Sequence, residues 1–111
     1  VSNVLDRLKK KRGTSVTIND DQFRVRSLTI GELKRLDAVI GDERTGFVLG
    51  CALLADDDSP AVAKADSESD SDWSKRVLTA LEDVPSDTIR QLSDAIGNLG
   101  KTPTAEAVRK N

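Results

Sequence analysis

The spacing of apolar residues changes period several times along this chain, and each change marks an element. In residues 2–12, Val4, Leu5 and Leu8 form a narrow stripe at helical spacing. Ser2 stands where an N-cap belongs, the cations gather in the last turn where a helix dipole favours them, and Gly13 follows as a stop. From residue 15 the period shortens to two. Val16 and Ile18 alternate with Ser15 and Thr17, and Phe23 and Val25 alternate with Arg24 and Arg26. The pattern predicts a β-hairpin of residues 15–18 and 23–28, with Asn19-Asp20-Asp21-Gln22 as its turn.

Helical spacing returns at Thr29. Thr29 and Glu32 have the spacing of a capping box, and Leu33, Leu36, Val39 and Ile40 recur behind them until Gly41. Asp42 is placed to cap a second helix carrying Phe47, Val48, Cys51, Leu53 and Leu54. That helix is apolar over much of its circumference, which predicts a central position in the core. Residues 56–71 then lose the pattern. They are rich in Asp, Ser and Ala, contain Pro60, and offer Val62 as their one large apolar side chain. Such a segment cannot bury enough surface to offset its ordering entropy, so a flexible acidic loop is expected. Beyond it, Ser71 or Asp72 can cap a helix with Trp73, Val77, Leu81 and Val84 along one face, ending at Pro85. Ser86 can cap a last helix, with Asp87 in its first turn and the stripe Ile89, Leu92, Ile96 and Leu99 before Gly100. The expected fold is mainly α with a small N-terminal β-hairpin (α+β): four or five short helices around one core in residues 1–100, followed by a polar tail at 101–111.

Composition changes this picture in one respect. Only 37% of the 111 residues are apolar and 32% are charged, so the core must be small or its burial completed by partner chains. The charges nearly cancel, 17 Lys and Arg against 19 Asp and Glu, which disfavours a surface built wholly for nucleic acid. They are nevertheless segregated: Lys9, Lys10, Lys11 and Arg12 cluster near the N-terminus, and Asp56, Asp57, Asp58, Asp66, Glu68, Asp70 and Asp72 near the middle. No apolar run approaches the ~20 residues of a membrane span, and none of signal-peptide character follows the basic cluster. A cytoplasmic protein is expected.

The side chains offer little chemistry. With no His, a Ser–His–Asp or Cys–His arrangement is impossible, and no Gly-rich phosphate loop is present. One Cys gives neither an internal disulfide nor a zinc site. Asp66, Glu68, Asp70 and Asp72 alternate like the first ligands of an EF-hand, but Ser71 stands where the sharp-turn Gly belongs and Val77 where the bidentate Glu belongs. Neither an enzyme, a metal nor a cofactor is expected. The candidate contacts are with other chains. Gly46 and Gly50, four apart on one apolar helix, allow close approach of another backbone, either inside the fold or between subunits. The stripe of Trp73, Val77 and Leu81 is a core face or a partner-binding and self-association face. Lys9, Lys10, Lys11 and Arg12 form a solvated helix end or an electrostatic contact to phosphates or an acidic partner, and Cys51 reads as a buried thiol.

Two stretches resemble a family. Phe23-Arg24-Val25-Arg26-Ser27-Leu28-Thr29-Ile30-Gly31-Glu32-Leu33 and Val84-Pro85-Ser86-Asp87-Thr88-Ile89-Arg90-Gln91-Leu92-Ser93-Asp94-Ala95-Ile96 are similar to segments of the tail assembly chaperones of long-tailed bacteriophages. The shared pattern covers roughly residues 15–99: a short strand, a capped helical region, an acidic variable middle and a closing amphipathic helix. The resemblance implies a non-enzymatic assembly factor in the host cytoplasm. It would bind the tape measure protein, help recruit tail tube subunits during tail morphogenesis, and form a homo-oligomer. Many members of that family also occur in a longer, frameshifted form. Two other functions fit the residues: a small nucleic-acid-binding regulator using the basic N-terminal helix, and a structural subunit of a phage particle.

Overall fold

The computed structural model describes residues 4–8 and 13–99. Among them are five helices and a three-stranded antiparallel sheet, an α+β fold with several helices. The elements are α1 (Val4–Leu8), β1 (Thr14–Ile18), β2 (Asp21–Val25), α2 (Ile30–Leu36), α3 (Glu43–Ala52), β3 (Leu53–Leu54), α4 (Asp70–Ala80) and α5 (Ser86–Leu99). The basic cluster Lys9, Lys10, Lys11 and Arg12 and the polar tail at 101–111 lie outside the described residues.

The hairpin forms where the period-two pattern places it, but with a tighter turn. Ile18 pairs with Asp21, leaving Asn19 and Asp20 as a two-residue loop at φ 53° and 66°. Two successive positive φ values are the signature of a type I′ turn, whose twist matches that of the strands, and Asn and Asp tolerate that region best after Gly. Val16 and Ile18 share a face with Phe23 and Val25, and Ile18 and Val25 are buried. The second strand stops at Val25 rather than running to residue 28.

What stops it is a buried arginine. The guanidinium of Arg26 meets the Glu32 carboxylate in a two-pronged pair, with Nη1 donating to Oε1 and Nη2 to Oε2 at 2.8 Å each. Oε1 also accepts the Thr29 amide at 2.9 Å, and the Glu32 amide donates to Thr29 Oγ1 at 3.1 Å. One carboxylate thus completes the capping box and fixes the angle between β2 and α2.

Helix α2 is shorter than its apolar spacing predicts. It ends at Leu36, Val39 folds back into the core, and Ile40 is 77% exposed. Arg44 Nη1 donates to the carbonyls of Leu36 and Val39, so the freed acceptors are satisfied without further helix. Gly41, at φ +63°, makes the turn into α3, and the Asp42 side chain makes no cap hydrogen bond.

Helix α3 is the central helix, packed against α2, α4 and α5. It ends two residues earlier than expected. Leu53 turns extended, and Leu53–Leu54 pairs with Val25 and Arg24 as β3, so two residues assigned to the helix complete the sheet instead. The switch is undetectable by periodicity, because a short apolar run suits a buried helix or a buried strand equally.

The acidic segment carries no helix up to Ser69, but it is fastened at several points. Leu54 bridges to Pro60, and Trp73 Nε1 donates to the Val62 carbonyl at 3.0 Å. Arg24 clasps Asp58 with Nε and Nη2 at 2.8 Å each, and Arg76 holds Glu68 and the Ala63 carbonyl. Arg35 holds Asp70, with contacts of 2.6 and 3.0 Å. Helix α4 begins at Asp70 with Ser69 as its N-cap, before the expected Ser71 or Asp72. It ends at Ala80, so Leu81 and Val84 follow it in a turn and are half-buried. In α5 the Pro85 carbonyl accepts the Thr88 and Ile89 amides, and Ser86 is the first helical residue rather than the cap. Leu92 and Ile96 are buried, with Ile89 and Leu99 packed beside them.

Two predictions follow from these fastenings. Glu32→Ala strands a buried guanidinium and removes half the capping box, and should cost about 3–5 kcal/mol in denaturant unfolding. Hydrogen bonds from Arg76, Arg24 and Arg35 hold Glu68 (to about 2), Asp58 and Asp70 below their ordinary pKa values. A carboxylate with a lowered folded-state pKa stabilises the fold above its unfolded pKa of ~4 and loses that contribution as pH falls through the folded value. The melting temperature should therefore drop between about pH 4.5 and pH 2, and Arg76→Gln should flatten that drop.

Candidate functional site

The residues singled out by spacing come together, but inside the molecule. Gly46 and Gly50 face α4. A Cβ on Gly46 would collide with the Ser74 carbonyl oxygen and sit 2.9 Å from Leu78 Cγ, and one on Gly50 would sit 2.8 Å from the Trp73 ring. The two helices thus cross with backbone almost touching backbone. Trp73 is 5% exposed, its ring edge-on to Phe47 at 5.8 Å between centroids, and Val77 is fully buried. Leu81 packs half-buried at the end of the same stripe. Of the two readings of this set, the geometry favours a tight internal crossing. A partner could reach Gly46, Gly50, Trp73 or Val77 only by parting α3 from α4.

Cys51 sits in the same core near the buried Arg26–Glu32 pair. Burial, with the Glu32 charge beside it, pushes its thiol up to about 12, so almost no thiolate exists near neutral pH. Among the described residues no group of three or more His, Cys, Asp or Glu side chains could hold a metal ion. No helix among them is long and apolar enough to cross a membrane.

The surface feature with chemical character lies on the other flank of α3. Leu28, Leu33, Leu36, Val48, Ser93, Ile96 and Gly97 line an open groove of about 340 Å³ between α2, α3 and α5. Its walls follow from the local chain path. The capping box starts α2 immediately after Leu28, which sets Leu33 and Leu36 one turn apart along one wall. Val48 forms the floor from α3, and Ser93, Ile96 and Gly97 form the second wall from α5. Leu33 remains 50% exposed, and Ile30, in the first turn of α2, is 74% exposed. One hydroxyl, that of Ser93, is the only side-chain polar group in the lining. Small-molecule sites usually combine apolar walls with several placed polar groups that fix orientation. This groove lacks them and suits apolar side chains presented by another helix.

Spacing alone does not reveal the groove. Its lining comes from a loop and three helices far apart in sequence, and each lining residue reads as core in its own element. Gly97 is the one local hint: a glycine inside a strongly amphipathic helix, where an added Cβ would meet nothing within 4 Å.

The glycines therefore separate by experiment. Gly97→Ala should raise stability by about 0.5–1 kcal/mol, because it removes backbone entropy from α5 without a clash. Gly46→Ala, against the Ser74 carbonyl, should lower it by about 1–3 kcal/mol. Urea unfolding of both variants measures the difference.

Compared with known proteins, the chain matches no family, no curated protein and no solved structure.

Proposed function

We propose that this chain is a tail assembly chaperone of a long-tailed bacteriophage, working in the host cytoplasm, and that it holds apolar faces of the tape measure protein in the α2–α3–α5 groove. The observation that carries the reading is that groove: open, almost wholly apolar and framed by helices. A long helical partner presents rows of apolar side chains at i, i+3, i+4 and i+7, and such rows enter grooves of this kind as anchors. Until the tail tube encloses it, such a partner is exposed to aggregation, and a chaperone works by covering its apolar rows. The resemblance in residues 15–99 supports the same reading, and with it recruitment of tail tube subunits and self-association. No acid–base or nucleophilic group lines the groove, so binding is its business.

Co-expression with the tape measure protein tests this. The wild-type chain should keep that protein soluble and co-purify with it. Leu33→Asp, which puts a charge on one wall, and Gly97→Leu, which fills the groove from the other, should each weaken co-purification at least ~10-fold, equivalent to about 1.4 kcal/mol. Both positions border solvent, so melting temperatures should stay within a few degrees of wild type. A tape measure protein that precipitates despite the chain, or binding that ignores both substitutions, would overturn the reading.

A further inference from the structure

Helix α1 has the character of a ligand for the groove. None of its residues is buried, and Leu5 and Leu8 are 64% and 73% exposed. A helix of five residues is far below the ~12–15 at which isolated helices become even marginal in water. Its leucines, one turn apart, need an apolar surface to hold them in register. The same chain carries an apolar groove with Leu33 half exposed on its wall.

The covalent path brings the two within reach. Thr14 pairs with Val25, so the start of β1 lies beside the end of β2, at a cross-strand Cα separation of about 5 Å. Three residues beyond Val25 stands Leu28, the first residue of the groove lining, at most about 11 Å further on. Leu8 is joined to Thr14 by the short run 9–13, a connection spanning up to about 20 Å. The tether therefore covers the distance from its anchor to the edge of the groove. The chain sequence of that run, Lys9-Lys10-Lys11-Arg12-Gly13, is charged and suited to lying in water while α1 lies on the apolar surface.

We infer that α1 is a strap, closing over the α2–α3–α5 groove of its own chain through Leu5 and Leu8 and yielding when a partner helix enters. The inference rests on the groove as the binding site in the proposed function and adds its regulation. A tethered occupant competes at an effective concentration of roughly millimolar. It shields the apolar walls from stray surfaces and yields only to a partner that offers several anchors at once.

A thiol–disulfide exchange experiment on the full chain tests the strap without any partner. Leu8→Cys is combined with Ser93→Cys in the groove wall or, as a control, with Asp56→Cys. Asp56 is exposed, and the segment around Asp58 lies against Gly13, so the control site is close to the same tether anchor. Cys51, buried and with its thiol pushed up to about 12, stays out of the exchange. In a glutathione buffer the Ser93 pair should close within one chain, with an effective concentration at least ~10-fold above that of the Asp56 pair. Equal effective concentrations would overturn the inference, since they would reflect reach alone. A covalent dimer as the main product would also overturn it, assigning α1 to a second copy. Neither result bears on tape measure co-purification, so the strap and the proposed function can fail separately.

Discussion

The backbone contact at Gly46 governs how this chain folds. Because nothing projects from α3 at that position, the Ser74 carbonyl of α4 can lie against it, and Trp73 then seats on Gly50 one turn further along. The crossing places a large ring against Phe47 and closes the main core with few side chains. It also spends one side of α3 on α4, which leaves the opposite flank, at Val48, to meet α2 and α5. The groove is a consequence of that division. Helices α2 and α5 lean on a central helix whose deepest contacts are made elsewhere, and they do not fully close on each other.

With an apolar share of only 37%, the remainder of the architecture relies on arginine. Each of five guanidinium groups joins parts of the chain that the core does not join. Arg26 ties β2 to α2, Arg24 ties the hairpin to the acidic segment, and Arg35 ties α2 to the start of α4. Arg44 satisfies the frayed end of α2, and Arg76 draws Glu68 and the Ala63 carbonyl towards α4. The planar fork suits this work, since it pairs two oxygens at a fixed angle and lays its stem along apolar surface. Arg35 does both, with its guanidinium 5.4 Å from the Phe47 ring centre. Most of these pairs are partly exposed and individually weak. Only Arg26–Glu32 is buried, and its loss would be felt throughout.

The elements legible in the sequence are those with a local cause. Alternation marks the hairpin, Thr29 and Glu32 announce α2, and the stripes of Trp73 with Val77 and of Leu92 with Ile96 mark the buried faces of α4 and α5. The misreadings share another origin: the deciding partner lies far away in sequence. Leu53 and Leu54 become a strand because Val25 and Arg24 offer an open edge. Val39 and Ile40 leave the helix because Arg44 satisfies its carbonyls. Residues 56–69 read as a chain too polar to pack, and they are, but arginines on β2 and α4 fasten them by charge instead of burial. The candidate site was least legible for the same reason. Gly46 and Gly50 signalled a close approach without saying to what, and the groove exists only once three distant helices are assembled.

The placement of Trp73 makes the molecule a selective optical reporter of itself. The chain has one tryptophan and no tyrosine, so its near-ultraviolet emission arises from a single indole. That indole touches Gly50 and Phe47, and its N–H is held by the Val62 carbonyl. Its colour and quenching therefore register two events together, the parting of α3 from α4 and the release of the acidic segment. The groove, lined by aliphatic side chains on the far flank of α3, has no chromophore of its own. Intrinsic fluorescence thus watches the integrity of the scaffold and is blind to the occupancy of the groove, so a ligand there needs a label of its own to be seen.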